Sequence, residues 1–233
     1  MKAVITGGTK GIGKALADKF LSEGHDVAIC ARGKSDIEQC IKAWSSSFPG
    51  RHIIADICDV SDKQALDEWA DKIVSEWDSV DVLINNAGVF IPGEILKEED
   101  GALSQMIDVN LYSAYNMTRK IAPRMIEAAK GHIFNMCSVA SVKAYPNGGS
   151  YSISKFALLG MSKVLREELK ETGVKVTSIL PGATWSASWA GVDLPEERLM
   201  QSSDIADTIY AATHLSPSAV IEEIIIRPQL GDL

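Results

Sequence analysis

Only four cysteines occur among the 233 residues (Cys30, Cys40, Cys58 and Cys137), with no Cys-x-x-Cys spacing and no histidine pair beside them. That pattern excludes a zinc finger or ribbon and a dithiol redox motif, and no metal is expected. Three of the four fall in or just after apolar, strand-like runs, where buried free thiols belong. No stretch approaches the roughly 20 uninterrupted apolar residues of a membrane span. The opening MKAVITGG enters a strand pattern at once and lacks the apolar stretch of a signal peptide, so a soluble, cytoplasmic protein without a membrane partner is expected. Positive charge is in deficit too, with 23 Lys and Arg against 31 Asp and Glu and a formal net charge of −8. A general nucleic-acid binder needs clustered Lys and Arg, so no nucleic-acid partner is expected and the acidic excess is read as solubilising. Internal repeats, low-complexity tracts and long linkers are also missing, which leaves residues 1–233 as one domain with enough chain to bury a substantial core.

What the chain does contain is alternation. Short β-rich runs at Lys2–Thr6, Asp26–Ala31, His52–Ile57, Val80–Ile84, His132–Cys137, Val174–Ile179 and Glu223–Arg227 are separated by helical patterns around 12–23, 35–47, 62–76, 100–129, 152–171 and 203–214. Such alternation implies right-handed crossovers and an α/β fold: a doubly wound parallel sheet of about seven strands, covered by helices on both faces in three layers. The run Val82-Leu83-Ile84 suits a central strand buried on both sides. Ser61-Asp62-Lys63-Gln64 reads as a capping box, and Gly24 and Gly173 sit where helices should stop. The least regular stretch, about 183–202, follows the sixth strand. Loops at the carboxyl ends of strands form the ligand site in this architecture, so a substrate lid carrying Trp185 and Trp189 is expected there.

Thr6-Gly7-Gly8-Thr9-Lys10-Gly11-Ile12-Gly13 ends the first strand and opens a helix. Glycines at 7, 11 and 13 permit a tight turn and let a pyrophosphate approach backbone N–H groups at the helix N-terminus. Cofactor choice is written at the end of the second strand. An acid there would hold the ribose 2′-hydroxyl of NAD, whereas the chain reads Cys30-Ala31-Arg32-Gly33-Lys34. Arg32 can fork a 2′-phosphate, and Lys10 can add a second charge, so NADP (as NADPH) is expected over NAD. Asp59-Val60, after the third strand, either flanks the adenine or starts the next helix. Asn85-Asn86-Ala87-Gly88, after the fourth, offers short side chains against a cofactor ribose and amides able to tie loops together.

Tyr151-Ser152-Ile153-Ser154-Lys155 opens a helix, so residues 151 and 155 share a face one turn apart. A phenol with pKa near 10 needs a nearby cation to work as an acid–base group at neutral pH, and Lys155 is placed to supply one. Ser138, just past the fifth strand, is placed to hydrogen-bond a substrate oxygen beside Tyr151. Asn110 either holds a water near Lys155 or marks a helix irregularity. Pro181-Gly182 brings backbone toward the nicotinamide.

The Thr-Gly-x3-Gly-Ile-Gly loop, the Asn-Asn-Ala-Gly turn, Asn110, Ser138, the Tyr-x3-Lys pair and the Pro-Gly turn follow one another in order. In that combination the chain resembles the short-chain dehydrogenase/reductase family, with its single-domain Rossmann-type fold, over essentially its whole length. The resemblance implies an oxidoreductase acting on a CH–OH group or its carbonyl, with Tyr151 as general acid/base and Ser138 positioning the reacting oxygen. It further implies that Lys155 lowers the tyrosine pKa and binds the nicotinamide ribose, that Asn110 supports a water-linked relay, and that the chain belongs to the NADP-preferring branch. A small-molecule substrate and a homodimer or homotetramer are implied as well. An apolar, small-residue patch at Ala157, Leu158, Leu159, Gly160 and Met161 is either core or an exposed subunit contact, and the resemblance suggests assembly through this helix and the one around 100–129. Two departures stand out. The nicotinamide-contacting threonine of the family must here be Thr184 or Ser186, and the last strand lacks the Asp-Gly-Gly ending of acyl-carrier-protein reductases, which argues against an acyl-carrier substrate. The competing expectation from another class is an NADP(H)-binding sensor or scaffold without turnover.

Overall fold

The computed structural model describes residues 1–185 and 194–231. Its strands are β1 (Lys2–Thr6), β2 (Asp26–Ala31), β3 (Ile53–Ile57), β4 (Val82–Asn85), β5 (Gly131–Met136), β6 (Val174–Pro181) and β7 (Glu223–Ile226). They form one sheet in the order β3-β2-β1-β4-β5-β6-β7, every neighbouring pair parallel. Parallel strands need crossovers, and crossovers put helices on the faces, so the central strands must be apolar on both sides. All residues of β4 and β5 are buried accordingly.

The helices are α1 (Gly11–Ser22), α2 (Lys34–Ser47), α3 (Lys63–Glu76), α4 (Ala102–Ile107), α5 (Ser113–Glu127), α6 (Gly149–Leu169) and α7 (Ser202–Thr213). Leu16 and Phe20 of α1, Trp44 of α2 and Ile205 and Ile209 of α7 pack on one face of the sheet. Leu66, Trp69 and Ile73 of α3 pack with Met117, Ile121 and Met125 of α5 on the other. Each such side chain contributes roughly 1.5–3 kcal/mol on leaving water. Among the described residues no helix is long and apolar enough to cross a membrane.

Local differences from the sequence pattern have local causes. The single helix expected over 100–129 is broken by a π-turn at Asp108–Tyr112, between α4 and α5. The cap of α3 is Asp62 and not Ser61: its carboxylate accepts the N–H groups of Gln64 and Ala65, while Ser61 donates to Asp59. Gly173 does end a helical segment, at φ +81°, and a Cβ there would lie 2.2 Å from the Ala129 carbonyl oxygen. The patch at 157–161 does not stand out from the surface as a unit. At 3.6 residues per turn Leu158 and Leu159 face the core, at 1% and 6% exposure, and the apolar side chains of α6 that face outward are Ile153, Phe156 and Val164.

Several polar side chains inside the sheet find partners on neighbouring strands. Asn85 and Asn135 are register partners on β4 and β5, and Asn85 Nδ2 donates to Asn135 Oδ1 at 2.8 Å and to Thr118 Oγ1 at 3.0 Å. His132, at the start of β5 and 5% exposed, stacks on Phe134 and has Nε2 2.7 Å from Thr177 Oγ1. Thr177 donates its own proton to the Ile221 carbonyl, so the imidazole is the donor to Thr177 and is neutral with its proton on Nε2. Burial, with a contribution from Lys175, lowers the His132 pKa to about 3. The unfolded chain therefore takes up a proton near pH 6.5 that the folded chain refuses until about pH 3, and stability falls as pH drops through that window. Urea unfolding at pH 7 and pH 5 is expected to show a loss of about 2 kcal/mol from this residue, a loss missing in His132→Gln.

Candidate active site

β1 and β4 are neighbours although 75 residues of chain separate them, and the crevice between their carboxyl ends is the topological switch point of the sheet. Thr6 and Asn86 clasp it. Thr6 Oγ1 accepts the backbone N–H groups of Asn86 and Ala87, both at 3.0 Å, and Asn86 Nδ2 donates to the carbonyls of Thr6 at 2.9 Å and Gly7 at 3.2 Å. Gly7 turns the chain at φ +69°, and the first turn of α1 folds back so closely that a Cβ on Gly13 would lie 2.1 Å from the Gly7 oxygen. Gly11 opens α1 at φ +51°, and Ile12 after it is partly buried against the core. The N-cap position, Lys10, supplies no side-chain cap, and the first turn holds no acid. The N–H groups and positive dipole end of α1 thus face the crevice without a protein anion.

Lys10 extends away into an ion pair with Asp36 at 2.7 Å, a half-exposed contact of small net value, and so is less available than the sequence suggests. Thr9 is buried, its carbonyl receiving the Cys40 thiol. Arg32, just past β2, is exposed. Burial works against the Asp59 carboxylate, but hydrogen bonds from the Ser61 side chain and backbone, with the Arg32 charge, outweigh it and hold its pKa below the ordinary value. Val60 follows Asp59 and packs on the α3 side of the core. A cradle that a Cβ would fill, an uncapped helix N-terminus and an exposed guanidinium beyond β2 fit a phosphorylated dinucleotide: backbone donors for its pyrophosphate and Arg32 for an anionic group on its adenosine ribose.

Ser138 follows β5 as the cap of a short 3-10 turn (Val139–Ser141). Its Oγ accepts from Ala140 N at 3.1 Å, and Ser141 Oγ accepts from Ser138 N. The hydroxyl keeps its proton free to donate, and it acts on the Tyr151 phenol in the sense that favours the ionised form. α6 carries Tyr151 and Lys155 on one face as the spacing requires, with Lys155 Nζ 5.7 Å from the Tyr151 ring centroid. The ammonium donates to the Met136 carbonyl at 2.8 Å rather than to the phenol. Burial pulls the Lys155 pKa down to about 8. Burial also raises Tyr151, with the Ser138 hydrogen bond opposing and Cys137 adding to the rise, so the expected lowering by Lys155 is not realised in the chain alone and Tyr151 is a protonated phenol. Cys137 is itself pushed up to about 11 by burial and is a neutral thiol.

Asn110 lies within the π-turn, where an inserted residue re-aims side chains. Its Oδ1 accepts from Val89 N at 2.7 Å, and its Nδ2 donates to Val89 O and to Ser154 Oγ, which in turn donates to the Tyr151 carbonyl. The residue is both the helix irregularity and a strut from the β4–α4 loop to α6. Gly88 faces the same spot, 3.3 Å from Asn110 Oδ1 and 3.4 Å from Lys155 Nζ at its Cβ position.

Beyond β6, which ends at Pro181, Gly182 N–H bonds Ile226 O, and buried Thr184 donates its hydroxyl to Gly182 O. Trp185 N and Met200 N bond back and forth across the loop, to Met200 O and Ala183 O, so both ends of the expected lid are tied together. Ser186 and Trp189 lie outside the described residues. Two site residues escape the sequence reading. Glu98 takes the Ser150 N–H at 3.3 Å and the Ser150 hydroxyl, capping α6 across 52 residues with no local signal. Phe90 packs edge-to-face on Tyr151, with centroids 4.9 Å apart at 76°. Its only signal is its place two residues past the Asn-Asn-Ala-Gly turn.

Comparison with known proteins agrees with this fold. Residues 1–196 match the family model described as short chain dehydrogenase. The chain is 33% identical to a sepiapterin reductase of Chlorobaculum tepidum, with 99% of this chain and 97% of that protein covered, and 30% identical to an uncharacterised oxidoreductase of Staphylococcus epidermidis, with 97% and 96% covered. Among solved structures it is similar to a metagenomic short-chain oxidoreductase in complex with NADP, with TM-score 0.84, 30% identity and coverage of 98% and 97%. It is also similar to the closed form of a serine dehydrogenase complexed with NADP+, with TM-score 0.87, 27% identity and coverage of 97% and 94%. With its doubly wound sheet, glycine crevice and Ser-Tyr-Lys group, the chain belongs to the short-chain dehydrogenase family of oxidoreductases.

Proposed function

We propose that the protein is an NADP(H)-dependent oxidoreductase interconverting a small-molecule carbonyl and its alcohol, with Tyr151 as general acid/base. The observation that carries this reading is the convergence of Ser138, Tyr151 and Lys155 beside the glycine cradle, from β5 and α6. A pure sensor would use the cradle and has no need of that group. The cradle (Gly7, Thr9, Gly11, Ile12, Gly13), Arg32, Asp59-Val60, Asn86-Ala87-Gly88, Lys155 and Pro181-Gly182 with Thr184 hold the dinucleotide, Lys10 adding charge when it leaves Asp36. NADP bound to the similar structures supports this choice over NAD.

A nicotinamide held there would supply the hydride. Tyr151, held as a phenol by burial, gives its proton to the substrate oxygen in the reduction direction, and the Ser138 hydroxyl donates a hydrogen bond to the same oxygen. Lys155 brings a buried positive charge that favours phenolate as the proton leaves. Asn110, fixed by Val89 and Ser154, positions a water next to Lys155 for proton return. Proximity and local electrostatics supply the rate, with no covalent intermediate. The protein assembles as a homo-oligomer through α5, the π-turn before it and α6, which carry the exposed Tyr115, the exposed Tyr112 and the stripe Ile153, Phe156 and Val164.

Fluorescence titration is expected to show NADPH binding weakened about tenfold or more in Arg32→Ala, with NADH binding unchanged. Unchanged NADPH affinity would remove Arg32 from the site. Tyr151→Phe should retain NADPH but lose on the order of a hundredfold or more in carbonyl reduction. As pH rises through about 8, Lys155 loses its charge, so kcat/KM for reduction should fall across that point, and Lys155→Met should show a low rate without the step. Light scattering should give a multiple of the 25.1 kDa chain for the native protein and a smaller species for Phe156→Glu.

A further inference from the structure

Among the described residues, the groups set against Tyr151 are aromatic or uncharged apart from Lys155. Phe90, on the loop after β4, sets its ring edge-to-face against Tyr151 and leaves about half of itself, 47%, open. Tyr145, from the loop between β5 and α6, stands 40% exposed on the same approach. Burial, and then the proximity of Tyr151, push its phenol up to about 12, so it is a neutral hydroxyl on an aromatic plate. The groups that bear on the ionisation of Tyr151 are the Ser138 hydroxyl and the Cys137 thiol, both uncharged. Lys155 is committed to the Met136 carbonyl, and Glu98 on the neighbouring loop is consumed in capping α6 at Ser150. Among these described groups at Tyr151, a substrate carboxylate or phosphate would give up its hydration for no cation but Lys155, already bonded to the Met136 carbonyl, and an ammonium would find no carboxylate.

We infer that the site accepts an uncharged aryl carbonyl, an aromatic aldehyde or ketone or the matching alcohol, and that Phe90 is the residue that sets this specificity. The inference rests on the reading of Ser138, Tyr151 and Lys155 as the reacting group and extends it to the substrate class. The aryl plane lies against the open face of Phe90, with the Tyr145 ring beside it, and its carbonyl oxygen reaches the Tyr151 and Ser138 hydroxyls. Offset or edge contacts between rings favour a flat partner over a saturated ring of the same bulk.

The test is a charge and shape series reduced with NADPH: benzaldehyde, 4-carboxybenzaldehyde, 4-(trimethylammonio)benzaldehyde and cyclohexanecarbaldehyde. Benzaldehyde is expected to exceed each of the other three in kcat/KM by about tenfold or more. Phe90→Ala should raise KM for benzaldehyde about tenfold with kcat little changed, flattening its advantage over cyclohexanecarbaldehyde, and Phe90→Leu should restore part of the affinity but not the preference for the flat ring. A charged member outperforming benzaldehyde overturns the substrate class. An equal fall in kcat for all four in Phe90→Ala, with a shifted pH profile, overturns the specificity role and leaves Phe90 as a support for Tyr151. Ligand-observed NMR on NADPH-loaded Tyr151→Phe separates this inference from the catalytic reading. Benzaldehyde binding that is lost in the Phe90→Ala double variant upholds the aryl site even if no aldehyde is turned over, and binding indifferent to charge and to Phe90 refutes it even if all are.

Discussion

Seven strands running the same way impose the condition on which everything else in this molecule depends. A parallel pair cannot be closed by a tight turn, so each connection climbs back over a face of the sheet, and both faces end up dry. The strands then have to be buried throughout, as β4 and β5 are, and every carboxyl end emerges on one edge. Polar side chains inside the strands must find partners there, as Asn85, Asn135 and His132 do, and the groups of the site collect in the loops at that edge, which is where Gly7, Arg32, Asp59, Asn86, Ser138 and Gly182 stand. The site is the place a doubly wound sheet leaves for chemistry.

Within that edge, reach is achieved by side chains used as struts. Thr6 and Asn86 fasten β1 to β4 and hold the glycine turn open toward α1. Asn110 fastens the loop after β4 to α6 through Ser154, and Glu98 does the same from further along that loop through Ser150. The helix that presents Tyr151 and Lys155 is thereby braced from the loop that faces the cofactor crevice. A π-turn where a regular helix would cost less strain makes sense in these terms: without the extra residue, Asn110 would not meet Val89 and Ser154 together.

Burial decides the protonation states. It drives Tyr151 up and Lys155 down, toward neutral forms, and in the chain by itself no opposite charge stands close enough to reverse either. A phenol that stays protonated stands beside a lysine that is charged below about pH 8 and neutral above it, the pairing on which the proposed reduction rests. The same rule, applied to His132 at the far end of β5, gives an imidazole that stays neutral and makes acid a threat to the fold rather than to the site.

The sequence by itself determined the strand order of events along the chain, the parallel fold class, the glycine turn and the spacing of Tyr151 and Lys155, because each rests on contacts within a few residues or on a hydrophobic period. β1 and β2 fall at the residues the pattern marks, and the other strands differ by one or two residues at their ends. Only the tertiary structure decided what those residues meet. Lys10 turned to Asp36, Lys155 to the Met136 carbonyl, Asp62 took the cap that Ser61 seemed to hold, and Leu158 and Leu159 went inward while Phe156 stayed out. Glu98 and Phe90 reached the site from outside any motif. Side-chain partners more than a few residues apart are chosen by packing and by the competition between burial and charge, and neither is written in local spacing.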